Sequence, residues 1–217
     1  DLHVENTDFF KKLFFIPVDV HMPAHLSGYI NDRDARIRID GFFPRTTYNG
    51  TLYESATLLF ENPADQFNCQ VRSGMLMKSG AMLNLSVDMK AEQDRLHTIL
   101  NWGNNTDVTY GGQLSTLTRF HKTEGRKPIL QADIEFLPTK MVLNDTVWNI
   151  RSSHVAVDSG RVFVDNFRID RPNQHLRIDG KVSKGENDSL LVDLKNIDVK
   201  YVLDIVRFDD VAFGGLA

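Results

Sequence analysis

Apolar and polar residues alternate one by one along much of this chain, which is the signature of strands with one face of each kind. In "ARIRIDG", Ile37 and Ile39 stand against Arg36, Arg38 and Asp40. In "LQADIEF", Leu130, Ala132, Ile134 and Phe136 stand against Gln131, Asp133 and Glu135, and "LRIDGKV" sets Leu176, Ile178 and Val182 in the same way. Further strands are predicted at Leu83 to Met89, Val155 to Asp158 and Arg161 to Asp165. Turn chemistry lies between them: Asn49-Gly50 in "YNGT" is a hairpin signal, while "DSGR" and "KGEND" read as longer turns.

Three stretches fit a helical period instead. "DFFKKLFF" offers Asp8 as an N-cap, groups Phe9, Phe10, Leu13 and Phe14, and stops at Pro17. "AEQDRLHTILNW" groups Leu96, Ile99 and Leu100, and "NIDVKYVLDIVRF" groups Val199, Val202, Leu203 and Val206. Each is too short to be stable alone and must bury its stripe on a sheet. The expected fold is therefore mainly β, with about three short helices as plugs or caps.

The second and third of these stretches share their flanks. Val87-Asp88 corresponds to Val192-Asp193, Lys90 to Lys195, and Tyr110-Gly111-Gly112 to Phe213-Gly214-Gly215. An imperfect repeat thus links residues 84–115 with 190–217, and the sequence ends inside its second copy. "RIDG" at Arg38 to Gly41 and Arg177 to Gly180 is either a second echo or a favoured strand ending. A repeated unit that cannot complete its own core extends a sheet along one axis. The expectation is one β-rich segment of a longer repeat protein, elongated, with an antiparallel or mixed sheet and an ill-defined sub-boundary near residues 121–128.

With 41% hydrophobic and 25% charged residues, the composition excludes a disordered chain. A net charge of −4 gives no electrostatic reason to bind nucleic acid or an acidic membrane surface. The single cysteine, Cys69, excludes an internal disulfide framework, and no apolar run approaches the length of a membrane span. Asn-x-Ser/Thr triplets begin at Asn49, Asn84, Asn104, Asn144 and Asn187 and read as chance.

Signals for bond-making chemistry are sparse. Ser152-Ser153-His154 with Asp158 is the nearest approach to a hydrolytic set, but it enters a strand without a nucleophile elbow. His21 and His25 have helical metal spacing, yet Pro23 between them argues against the helix. The recurrent aspartates beside turns are explained by side-chain to backbone hydrogen bonds. Neither a phosphate-binding loop nor a dinucleotide fingerprint occurs. The expectation is a non-enzymatic protein without metal or cofactor.

"LRIDGKVSKGENDSLLVDLKNIDVKYVLDIVRFDDVAFGG", preceded by "MVLNDTVWNIRSSHVAVDSGRVFVDNFRID", resembles the periplasmic repeats of the TamB/AsmA-like family, in the form found in Bacteroidetes. The likeness covers roughly residues 130–217, and more loosely the first half through "DFFKKLF", "IRIDGFF" and "YGGQLS"; it rests on the order of the pieces. It implies a β-sheet folded lengthwise into a trough between the inner and outer membranes. The trough would carry phospholipid, with an inner-membrane anchor outside this segment and a BamA-like barrel as a partner.

Lipid carriage also has a physical case. Burying hydrocarbon gains about 0.8 kcal/mol per methylene, so half an acyl chain is held by about 5 kcal/mol in a dry groove. The candidate lining is Ile37, Ile39, Leu130, Ala132, Ile134, Phe136, Val162, Val164, Leu176 and Ile178, with an ordinary sandwich core as the competing account. Met75, Met77, Met82 and Met89 suit either an adaptable surface or core filling, and Trp102 and Trp148 suit trough edges or packing anchors. Two other functions stand beside this one: an interaction module that pairs its strand edges with an outer-membrane barrel during assembly, and an extracellular glycan binder.

Overall fold

The computed structural model of the chain describes residues 2–4, 18–21, 23–63, 65–77, 80–104, 110–122, 130–158, 160–183 and 188–197. These form one sixteen-stranded sheet in which every pairing is antiparallel. The strands are β1 (Leu2–Val4), β2 (Val18–Val20), β3 (Ala24–Asn31), β4 (Arg36–Tyr48), β5 (Thr51–Glu61), β6 (Gln66–Leu76), β7 (Met82–Glu92) and β8 (Arg95–Gly103). They continue as β9 (Gly111–Lys122), β10 (Leu130–Phe136), β11 (Thr139–Leu143), β12 (Thr146–Ile150), β13 (Ser153–Asp158), β14 (Arg161–Arg171), β15 (Gln174–Val182) and β16 (Leu190–Lys195).

The apparent crossovers in this sheet are broken strands. β4 pairs with β3 through Arg36 to Phe42 and with β2 through Thr46 to Tyr48, so β2 and β3 are one line interrupted around Pro23. β9 pairs with β10 and, further along, with β11, which resumes after Leu137-Pro138; β14 likewise pairs with both β13 and β12. Proline has no N–H to give the ladder, so two of the three breaks fall where a strand cannot be continuous. The sixteen strands therefore make thirteen lines, each beside its neighbours in sequence. At about 4.8 Å per step the sheet runs about 60 Å across its strands.

Local chemistry explains the turns. Asn49-Gly50 and Asn144-Asp145 have positive φ at both positions, which suits a two-residue hairpin loop to the twist of its strands. "DSGR" is tighter than its sequence suggests: Asp158 pairs with Arg161, leaving two connecting residues. "RIDG" is not a strand ending, because Gly41 lies inside β4 and Gly180 inside β15.

The helix expected at residues 91–102 is absent; β7 ends there, Gln93-Asp94 turn, and β8 follows. Leu96, Ile99 and Leu100 satisfy helical spacing, but Leu96, Thr98, Leu100 and Trp102 also satisfy a period of two, and Gln93 at φ 56 supplies the turn. The helices expected around Asp8 to Phe15 and Asn196 to Phe208, the second repeat copy beyond Ile197 and the "KGEND" turn lie wholly or largely outside the described residues. Among the described residues there is no helix, which corrects the expectation at residues 91–102.

Candidate functional site

Residues directly opposite in an antiparallel pair project to the same side of a sheet, so the register fixes its faces. One row passes from Leu26 through Gly41, Leu58, Val71, Val87 and Leu100 to Leu114. A parallel row joins Ile39, Phe60, Cys69, Met89, Thr98 and Thr116 to Phe136. From β10 the same side continues through Ile134, Val155 and Val164 to Gly180 and Leu190. This apolar face extends over seven lines in the first row without a charged residue.

All ten candidates lie on that one face. Ile37 and Ile39 are on β4, the four β10 residues alternate along their strand, and Val162 and Val164 sit opposite Val157 and Val155. The register shift in β14 after Val164 restores the alternation, so that Phe167 faces Ile178 and Ile169 faces Leu176. Ile39 and Leu130 are the open members, at 36% and 59% exposure; the rest are half-buried. Sequence reasoning placed a strand at Leu83 to Met89 but named no lining residue on β5 to β9, because part of β8 read as helix and the rows themselves emerge only from pairing.

The two sides differ in shelter. Thr118, on the apolar face, is 7% exposed, whereas its neighbour Leu117, on the other face, is 39% exposed. Val162 and Val164 are half-buried between exposed Arg161, Phe163 and Asp165. Phe136 and Phe167 belong to lines two apart, yet their rings meet edge to face at 5.3 Å beside Ser153, which is buried opposite Phe136. Trp102 is accommodated over Gly112, where an added Cβ would stand 2.5 Å from the indole and 2.8 Å from the Met141 Cβ. Even so, no large side chain is fully buried among the described residues, and only Ala24, Leu83, Met141 and Ile150 are buried apolar residues. Met75 and Met89 face this side, as do both tryptophans; Met82, opposite Leu76, faces the other.

The opposite face is polar and internally compensated. Arg38 donates to Asp40 at 2.8 and 2.9 Å and to Glu61 at 2.8 Å; Arg72 donates to Asp88 at 2.9 Å. The Arg-Ile-Asp order recurs at Arg168 to Asp170 and Arg177 to Asp179, with paired charges on one side and isoleucine on the other. Asp170 is buried, and its hydrogen bond with Arg151, supported by Arg168, holds its carboxyl below the ordinary carboxylate range. Arg161 does the same to Asp158. The imidazoles of His121 and His154 flank Asp133 at 3.4 and 3.2 Å.

The sequence order Ser153-His154 brings no nucleophile and base together. Ser153 lies on the apolar side and donates to the Arg151 carbonyl, while His154 lies on the polar side with Asp133. Asp158 is engaged by Arg161. His21 and His25 occupy a bend and a strand, with His21 beside the Thr47 hydroxyl, and no metal-holding group of three or more occurs among the described residues. No protein-family model, curated protein or solved structure matches this chain.

Proposed function

We propose that the chain is a non-enzymatic segment of a TamB/AsmA-like envelope protein, in which the apolar face forms a trough that carries phospholipid tails through the periplasm. The observation that carries this reading is the segregation of the faces: a continuous apolar surface, half-buried over much of its extent, has no second layer packed on it among the described residues. A large apolar surface of that kind marks a binding site. Greater shelter on the apolar side is what lengthwise curvature toward that side produces, because side chains on a concave surface crowd one another. Acyl chains need no directional partner, which suits a lining of Val, Leu, Ile and Met.

Val87 and Ser86 are adjacent on β7 and face opposite ways, so they provide the test. Binding of a fluorescent phosphatidylcholine to the chain is expected to be abolished by Val87→Asp and retained by Ser86→Asp, with both variants keeping a β-type circular dichroism spectrum. Equal binding by both folded variants rejects the reading.

A second reading has its own observation. On the last described strand, β16, Leu190, Leu191 and Val192 are all exposed. Such a strand can pair with an incoming one, as assistance to barrel assembly requires. Leu191→Lys, on the polar side of β16, would then abolish capture of unfolded barrel segments and spare lipid binding.

A further inference from the structure

The tyrosines and tryptophans on the strands of the apolar face gather at one side of its width. One long edge holds the ends at which β4 meets β5, β6 meets β7, β8 meets β9, β11 meets β12 and β14 meets β15; the other holds those at which β3 meets β4, β5 meets β6 and β7 meets β8. Among the described strand residues, Tyr48, Tyr53, Trp102 and Trp148 face the apolar side near the first edge. Phe60, Phe67 and Phe120 lie near the second, and Phe43, Phe136 and Phe167 lie between the two. Rings with a polar handle prefer the boundary between an apolar and a wet environment, whereas phenylalanine has no such handle.

Arg171 ends β14 at the first edge, directly across from Gln174 and continuing the row of Phe167 and Ile169. Its guanidinium carbon lies 5.0 Å from the Trp148 ring centroid, and its Nε donates to the Gln174 carboxamide oxygen. The Gln174 amide in turn donates to the Asn196 carbonyl at 2.5 Å. Arg38, Arg72, Arg151, Arg161, Arg168 and Arg177 each pair with a carboxylate, but Arg171 has none among the described residues. A guanidinium held by stacking and one hydrogen bond keeps its two terminal nitrogens for an oxyanion, and its planar fork matches phosphate.

We propose that Arg171, stacked on Trp148 at the aromatic edge of the apolar face, binds the phosphate of a phospholipid whose tails lie on that face toward the phenylalanine edge. The inference rests on the lipid-carrying reading and adds to it an orientation and a head-group contact.

The test titrates the 217-residue chain with dihexanoylphosphatidylglycerol below its micellar concentration, with dihexanoylglycerol, and with inorganic phosphate, following tryptophan emission. The phospholipid is expected to bind about tenfold tighter than the phosphate-free lipid, as one charge-assisted contact allows. Arg171→Gln is expected to bring both lipids to the same affinity, Arg171→Lys to fall between, and inorganic phosphate to leave the emission unchanged. If Arg171→Gln does not fold, the loss with Arg171→Lys decides. A preference for phospholipid that Arg171→Gln leaves in place, or that Arg171→Lys leaves undiminished where Arg171→Gln does not fold, overturns the head-group contact while leaving lipid carriage intact. Binding of inorganic phosphate through Arg171 without binding of either lipid assigns the site to free phosphate and overturns both. Absence of binding by all three probes also overturns both.

Discussion

Gly112 faces the apolar side between Trp102 and Met141, and its missing side chain is what lets those two approach. Gly112→Ala should destabilise the protein by about 1–3 kcal/mol, because the Met141 Cβ is fixed to its backbone and cannot move aside. Gly111→Ala meets nothing closer than 3.5 Å and should be tolerated; urea midpoints for the two variants check the contrast. Cys69 lies in the apolar row opposite Phe60 and Met89, and burial pushes its thiol up. It should react with thiol reagents more slowly than free cysteine at pH 8, and more slowly still in the presence of phospholipid. Asp170 gives a pH dependence with a definite sign. Its folded carboxyl titrates below the unfolded one, so its stabilisation is full above about pH 4 and is lost as the pH falls through the lowered value. Asp170→Asn should lower the thermal midpoint at pH 7 and change it less at pH 2. That the ten candidates share one face was legible because each occupies a strand whose own alternation is clean, as in "LQADIEF". Arg171 was not, since only pairing across β12 and β14 brings it to Trp148.

β8 shows how far pattern reasoning reaches at the level of an element. The spacing of Leu96, Ile99 and Leu100 suits a helix, and the choice is made by partners distant in sequence: Leu100 meets Val87 and Leu114 on the apolar face, leaving Ile99 on the polar one. Likewise, no local signal marks the shift at Ser55, whose φ of 52 accompanies a change of register between β5 and β6 and carries Tyr53 onto the apolar side. The turn at Asn49-Gly50 was legible, because its residues are the ones a positive φ selects. Ser86 and Asn101 lie directly opposite in the β7 and β8 pair, with the Asn101 amide donating to the Ser86 hydroxyl at 3.2 Å. In a Cys69→Ser background, Ser86→Cys with Asn101→Cys should form a disulfide on mild oxidation without loss of lipid binding. Failure of that pair to cross-link under oxidant, read by gel mobility, contradicts a strand at β8.

At the scale of the whole molecule, the described residues form a meander in which every line pairs with the next, so its stability comes from repeated neighbour contacts. Compensated charges on the polar face keep that side in water, and both tryptophans and Arg171 mark one boundary of the other side. Acyl chains of about 20 Å laid parallel to the strands, from one edge toward the other, would leave room along about 60 Å of sheet for several lipids side by side. The most direct measurement is the lipid content of the chain purified without detergent, by mass spectrometry of an organic extract and of the intact native particle, for wild type and for Ile134→Asp with Ile178→Asp. The account predicts stoichiometric phospholipid on the wild type and its loss from the folded double variant. A wild-type particle free of lipid, or a folded double variant that retains it, contradicts the account.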